Sequence, residues 1–394
     1  MARSLKLPNA SGQVEAYKLR GTTPVKPAAG VKFNRIAYSA AHVVADPLAA
    51  IDPWLQCAVD WDETIAYRQR LWSLGLGVAE AMDTAQRGMG LDWPTSLELI
   101  RRSLDAAKDV PGALVASGCG TDHLVLENVK TVDEVIQGYE EQMAAIEKLG
   151  GKLIVMASRA LARVAKSPAD YERVYDRILS QAKQPVVLHW LGDMFDPALK
   201  GYWGNNDPDK AMDTALAVIA AHPDKVDGIK ISLLDKDKEI AMRRRLPSGV
   251  RMYTGDDFNY AELIAGDGFG QELMHGQSDA LLGIFDAIAP AASAALGELA
   301  QGNVQKFHDI LGPTVPLSRH IFAAPTRFYK TGVVFMAWLN GHQSHFTMVG
   351  GQQSTRSLPH FAELFRLADA ANLLEQPELA VRRMNTLLTL HGVE

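Results

Sequence analysis

The chain has 394 residues, of which 47% are hydrophobic and 22% charged, with a formal net charge of -6 at pH 7. This composition describes a soluble globular protein with a large core, and its acidic balance offers no general attraction to nucleic acid or to an anionic membrane. Cys57 and Cys119 cannot form a disulfide framework. No signal-peptide run opens the sequence and no uninterrupted apolar stretch of about 18 residues follows, so a cytoplasmic protein is expected.

Residues 1–32 read as an N-terminal extension, with Ser4 to Leu7 and Val14 to Leu19 flanking the turn-rich Asn9-Ala10-Ser11-Gly12 as a β-hairpin. From residue 33 to 286 short apolar runs alternate with helical patterns, the signature of βαβ units. The predicted strands are Arg35–Ser39, Gly77–Glu80, Ala113–Ser117, Lys152–Met156, Pro185–His189, Val226–Ile231, Arg251–Thr254 and Gln271–His275. Predicted helices between them include Asp62–Leu74, Ser96–Lys108, Thr131–Leu149 and Ala169–Gln181. Strands spaced by about 25 to 40 residues point to a closed (β/α)8 TIM barrel rather than an open sheet. No Gly-x-Gly-x-x-Gly follows the first strand, and there is no phosphate-cradling Walker sequence. Residues 287–394 are helical in pattern and are expected to pack on the barrel as a C-terminal helical extension.

In such a barrel the active site is built at the C-terminal ends of the strands. The strand-end residues are rich in ionisable groups: His42, Glu80, Asp83, Cys119, His123, Arg159, His189, Lys230, Asp256, Asp257 and His275. Lys230 is the most informative of these. Burying an unpaired ammonium costs several kcal/mol, whereas a lysine at a barrel mouth that loses its proton can attack a carbonyl. Cys119 and His123 lie close in sequence, but catalytic partners meet in space, so this pair is a weak signal. Arg243-Arg244-Arg245 reads as a solvated helix face, and Arg327 and Lys330 as part of a surface or a subunit contact.

Asp227-Gly228-Ile229-Lys230-Ile231-Ser232 resembles the sixth-strand signature of the dihydrodipicolinate synthase / N-acetylneuraminate lyase superfamily, and Tyr253-Thr254-Gly255-Asp256-Asp257 resembles the Ser-Gly-Asp-Asp segment that follows it in many members. The resemblance covers roughly residues 33–340 and is strongest over 185–285. It implies that Lys230 forms a Schiff base with a 2-keto acid or a related carbonyl compound, in a lyase or aldolase that makes or breaks a C–C bond. It also implies a homodimer or homotetramer, a small-molecule carbonyl substrate and no cofactor.

The sequence departs from that pattern at two places. Where the family carries a Gly-Thr-Thr-Gly-Glu-like segment to hold the substrate carboxylate, this chain reads Ala79-Glu80-Ala81-Met82-Asp83-Thr84-Ala85-Gln86-Arg87-Gly88. Where the family's fifth strand ends in a proton-relaying tyrosine, this chain has His189. The expected catalytic residues are therefore Lys230 and His189, with Glu80, Thr84, Arg87, Ser117, Gly118, Asp256 and His275 binding the substrate. Because histidine also binds metal, an alternative is a divalent-metal-dependent sugar isomerase or class II aldolase, with Glu80, His189, Asp256 and His275 as ligands. A further alternative is a non-catalytic barrel that binds a metabolite.

Overall fold

In the computed structural model, which describes residues 4–20, 23–27, 30, 32–268 and 275–393, the Asn9 side-chain oxygen accepts bonds from the Ser11 and Gln13 amides, both at 3.0 Å. This Asx-type turn joins β1 (Ser4–Pro8) to β2 (Val14–Lys18) as an antiparallel hairpin. The hairpin does not rest on the strands of the barrel. Tyr17 donates to Asp369 at 2.6 Å, the Arg20 amide donates to the same carboxylate oxygen at 2.9 Å, and Leu5 and Leu7 join a core cluster with Phe361 and Phe365 of helix Leu358–Ala370.

Eight parallel strands close the barrel: β3 (Ala37–Ala40), β4 (Gly77–Glu80), β5 (Val115–Cys119), β6 (Lys152–Met156), β7 (Val186–Leu191), β8 (Val226–Ser232), β9 (Arg251–Thr254) and β10 (Asp279–Leu282). Each strand pairs with the next, and β10 closes onto β3. The fold is a (β/α)8 TIM barrel with an N-terminal hairpin and a C-terminal helical extension. Helices Trp61–Ser73, Trp93–Ala107 and Val132–Lys148 begin on the N-caps Asp60, Asp92 and Thr131, whose side chains accept amides of the first turn that would otherwise lack partners.

Side-chain alternation along the strands decides what faces the barrel axis. Tyr38, Ala40, Ala79, Ala116, Ile154, Val187, Tyr253 and Leu281 pack together as the barrel interior. The in-register partners His189, Lys230 and Tyr253 share this inward face. Beneath Lys230, Tyr253 donates to Asp227 at 2.6 Å. A side chain on Gly228 would put its Cβ 2.7 Å from the Tyr253 ring. The first two residues of the Asp-Gly-Ile-Lys segment thus build the floor on which the lysine stands.

Two strand expectations need correction. β5 runs Val115–Cys119 rather than Ala113–Ser117, so Gly118 and Cys119 are still strand. The eighth strand is Asp279–Leu282; residues 271–274 of the expected segment lie outside the described residues, and His275 is in a turn ahead of β10. After β10 the regular structure is helical. Helix Tyr329–Leu339 is buried at every position, which brings its first residues, Tyr329 and Lys330, against the barrel. No described helix is long and apolar enough to cross a membrane.

Candidate active site

Lys230 projects from β8 to the C-terminal end of the barrel and is only 5% exposed. A Cβ on Gly255 would stand 2.7 Å from Lys230 Cε, so the bare backbone after β9 is what makes room for the lysine chain. Burial lowers the Lys230 pKa, against the opposing pull of Asp83 and Asp257. His189, its neighbour on β7, is also buried, with Nε2 3.3 Å from the Ser232 hydroxyl and Nδ1 unpartnered among the described residues. Burial, with Lys230 adding to it, pushes the His189 pKa well below its ordinary value and keeps the ring neutral at pH 7.

Two carboxyls complete the centre. Burial raises Asp83, but Lys230, Lys330, His189 and a hydrogen bond from Tyr329 outweigh it and hold the carboxyl below its ordinary pKa. Asp257 accepts the Ile284 amide at 2.9 Å, and burial pushes it up to about 8 although Lys230 opposes the shift. The Tyr329 hydroxyl lies 2.6 Å from the Thr84 hydroxyl, and burial holds its pKa well above 10. One helix of the C-terminal extension thus supplies a phenol to a barrel-mouth site. A cavity of about 200 Å³ adjoins this centre, with Asp83, His189, Met156, Arg159 and Asp196 among its walls. Lys230 itself does not line this cavity, but His189 and Asp83, which interact with it electrostatically, do.

The family model described as "Protein of unknown function (DUF993)" matches residues 5–393. The chain belongs to this family. Among curated proteins, no sequence matches this DUF993 member. Solved structures do. Dihydrodipicolinate synthase from Aquifex aeolicus is 12% identical with a TM-score of 0.64, covering 87% of this chain and 99% of the other. A prophage protein of the dihydrodipicolinic acid synthase family from E. coli K12, solved with pyruvate, is 16% identical with a TM-score of 0.64 over 87% of this chain and 100% of its own. The 4-hydroxy-tetrahydrodipicolinate synthase of Methylacidiphilum fumariolicum SolV is 13% identical with a TM-score of 0.61 over 90% and 99%. The DUF993 chain therefore has the fold of the dihydrodipicolinate synthase family, as its resemblance implies.

Of the expected site residues, the DUF993 barrel gathers Lys230, His189 and Thr84, while Arg87 lines the cavity with its donors engaged and the others are placed or partnered away from the centre. Glu80 points out of the barrel and is bound by Arg68 through two contacts of 2.9 Å, with Ser103 and the Ala81 amide also donating to it. Arg87 lines the cavity, but its Nε and both Nη groups are spent on Asp122, Gly118 O, Ala81 O and Gln142. Ser117 alternates outward beside the inward-facing Ala116. Gly118 is a packing position, because a Cβ there would meet Ala81 O at 2.6 Å. Asp256 closes a local turn, accepting from the Phe258 and Asn259 amides and from Asn259 Nδ2, and it is the next residue, Asp257, that faces Lys230. His275 precedes β10, so it sits toward the opposite end of the barrel. The alternative metal set of Glu80, His189, Asp256 and His275 is accordingly dispersed, and among the described residues no group of three His, Cys, Asp or Glu side chains is placed to hold a metal ion.

Tyr329 was not among the expected site residues, and Lys330, expected as part of a surface or a subunit contact, is buried within the chain at 3% exposure. The available signal was their place at the head of Thr331 to Leu339, an uninterrupted apolar helix that can only be buried.

Proposed function

We propose that the protein is a Schiff-base-forming lyase or aldolase acting on a 2-keto acid or a related carbonyl compound. One observation carries the reading: a buried lysine, with its pKa lowered by burial, stands at the C-terminal end of a closed barrel beside a neutral histidine.

In this reading the Lys230 amine adds to the carbonyl carbon to give a carbinolamine. The former carbonyl oxygen takes up a proton and leaves as water. The electrons of the bond between the next two carbons, Cα–Cβ, then flow toward the protonated imine as that bond breaks, leaving an enamine, while the Cβ hydroxyl loses its proton and departs as a carbonyl. Protonation of the enamine at Cα, followed by addition of water to the imine, frees the Lys230 amine. Neutral His189 takes the proton released by the departing fragment. Tyr329, bonded to Thr84 and Asp83, moves protons on and off the carbinolamine oxygen. This is the work that the family assigns to a tyrosine at the position of His189.

Borohydride reduction in the presence of pyruvate and other 2-keto acids, followed by peptide mapping, tests the reading. A reduced adduct on the Lys230 peptide is expected with at least one keto acid. An adduct on another lysine, or none across the panel with folded protein, would overturn it.

A further inference from the structure

Two cations have no assigned step in the imine chemistry: Arg159 in the cavity wall, and Lys330, buried behind it. Arg159 follows β6, and its Nε donates to Asp196. Among the described residues neither of its Nη groups has a hydrogen-bond acceptor, and its side chain is 37% exposed in the wall of the cavity. Lys330 is buried, and the acceptor it finds among the described residues is Met89 Sδ at 3.2 Å, a weak one for an ammonium. The two groups meet at one stretch of chain. A Cβ on Gly88 would lie 3.0 Å from Arg159 Nη1, and the next residue, Met89, is the one that touches Lys330.

We propose that Arg159 and Lys330 form a subsite for a second carboxylate of the substrate, carried at the end remote from the carbonyl that Lys230 attacks. A carboxylate between them would accept from the paired Nη groups in the planar geometry guanidinium favours, and it would give Lys330 the strong acceptor it lacks. Arg87, whose groups are all engaged, is excluded from this role. Asp196 and Asp83 already offset much of the positive charge at this rim, so the subsite suits one negative charge rather than a dianionic phosphoryl group.

The protonation of Lys330 agrees. Burial, reinforced by Arg159, lowers it to about 8, so the ammonium persists at neutrality and is lost in mild alkali. Carboxylate binding should therefore weaken as pH rises through about 8.

This inference rests on the reading of the cavity as the site of a small keto acid, but it can be tested without imine formation. Glutarate has two carboxylates and no carbonyl, butyrate has one carboxylate, and 2-carboxyethylphosphonate carries a phosphoryl group in place of the second. Titration calorimetry on the full chain should show glutarate binding at least about tenfold tighter than butyrate. Arg159→Met should remove that preference, about tenfold, while leaving butyrate unchanged, and Lys330→Met should likewise reduce the ratio of glutarate to butyrate affinity about tenfold. Arg159, at the rim, keeps the test valid if the buried Lys330 variant fails to fold.

Equal binding of the two acids, no measurable glutarate binding, or glutarate binding unchanged in a folded Arg159→Met would overturn the subsite. Tighter binding of the phosphonate than of glutarate would overturn its assignment to a carboxylate. Because glutarate cannot form an imine, failure of borohydride trapping and failure of this subsite are read separately.

Discussion

The hydroxyl of Tyr329 lies 2.6 Å from that of Thr84, and this single contact ties a helix of the C-terminal extension to the loop after the second barrel strand. If it is the proton path for the carbinolamine oxygen, Tyr329→Phe should slow borohydride-trappable imine formation by about 10²- to 10³-fold. The lost buried hydrogen bond should cost only about 1–2 kcal/mol of stability. Single-turnover trapping and urea unfolding measured on the same preparation separate these effects.

Gly255 gives an independent handle on Lys230. A methyl group there would press on Lys230 Cε and on Ile231 O, 2.7 and 2.6 Å from the new Cβ. Gly255→Ala should displace the amine and cut trapping by about 10²-fold, although no titratable group has been removed. A trapping rate equal to that of the parent protein would show that the lysine's position is not held by this contact.

Glu80 is expected to behave as structure and not as site. Its carboxylate is buried against Arg68, so Glu80→Gln leaves an uncompensated buried charge and should destabilise the fold by about 3–5 kcal/mol. Where the variant remains folded, trapping at Lys230 should persist. Chemical denaturation together with trapping at low temperature measures both.

Asp257 links stability to pH. Its carboxyl is raised to about 8 in the fold from about 4 in an unfolded chain. Between these values the native state holds more protons than the unfolded one, so this group's contribution falls as pH rises and is lost once pH passes about 8. Asp257→Asn, which can still accept the Ile284 amide, should gain on the parent by up to about 1.4 kcal/mol per pH unit across that window. Denaturation midpoints at a series of pH values give the slope.

The barrel was readable because periodicity reports it: seven of the eight strands fall where apolar runs alternate with helical patterns. The eighth was misplaced. An apolar segment in Gln271–His275 looked like a strand, while Asp279–Leu282, short and headed by an aspartate, did not. Lys230 and His189 were legible because strand alternation and chain order place them without knowledge of loops. Glu80 and Asp256 were not, because a strand-end carboxylate is equally suited to a pocket, an ion pair or a turn, and only its partners decide. The shift of one residue from Asp256 to Asp257 reverses the side chain's direction, which composition and spacing do not reveal. Tyr329 and Lys330 lie about a hundred residues beyond the strand that bears Lys230, and their contribution depends on how the extension folds back.

Burial of the Tyr329–Leu339 helix also sets an order of events during synthesis. A chain leaving the ribosome presents its N-terminal parts first, so the strand carrying Lys230 emerges before Tyr329 and Lys330 exist. A nascent barrel would hold the amine without its phenol and without the second cation. Under the proposed chemistry the proton path through Tyr329 is complete only once this helix has docked.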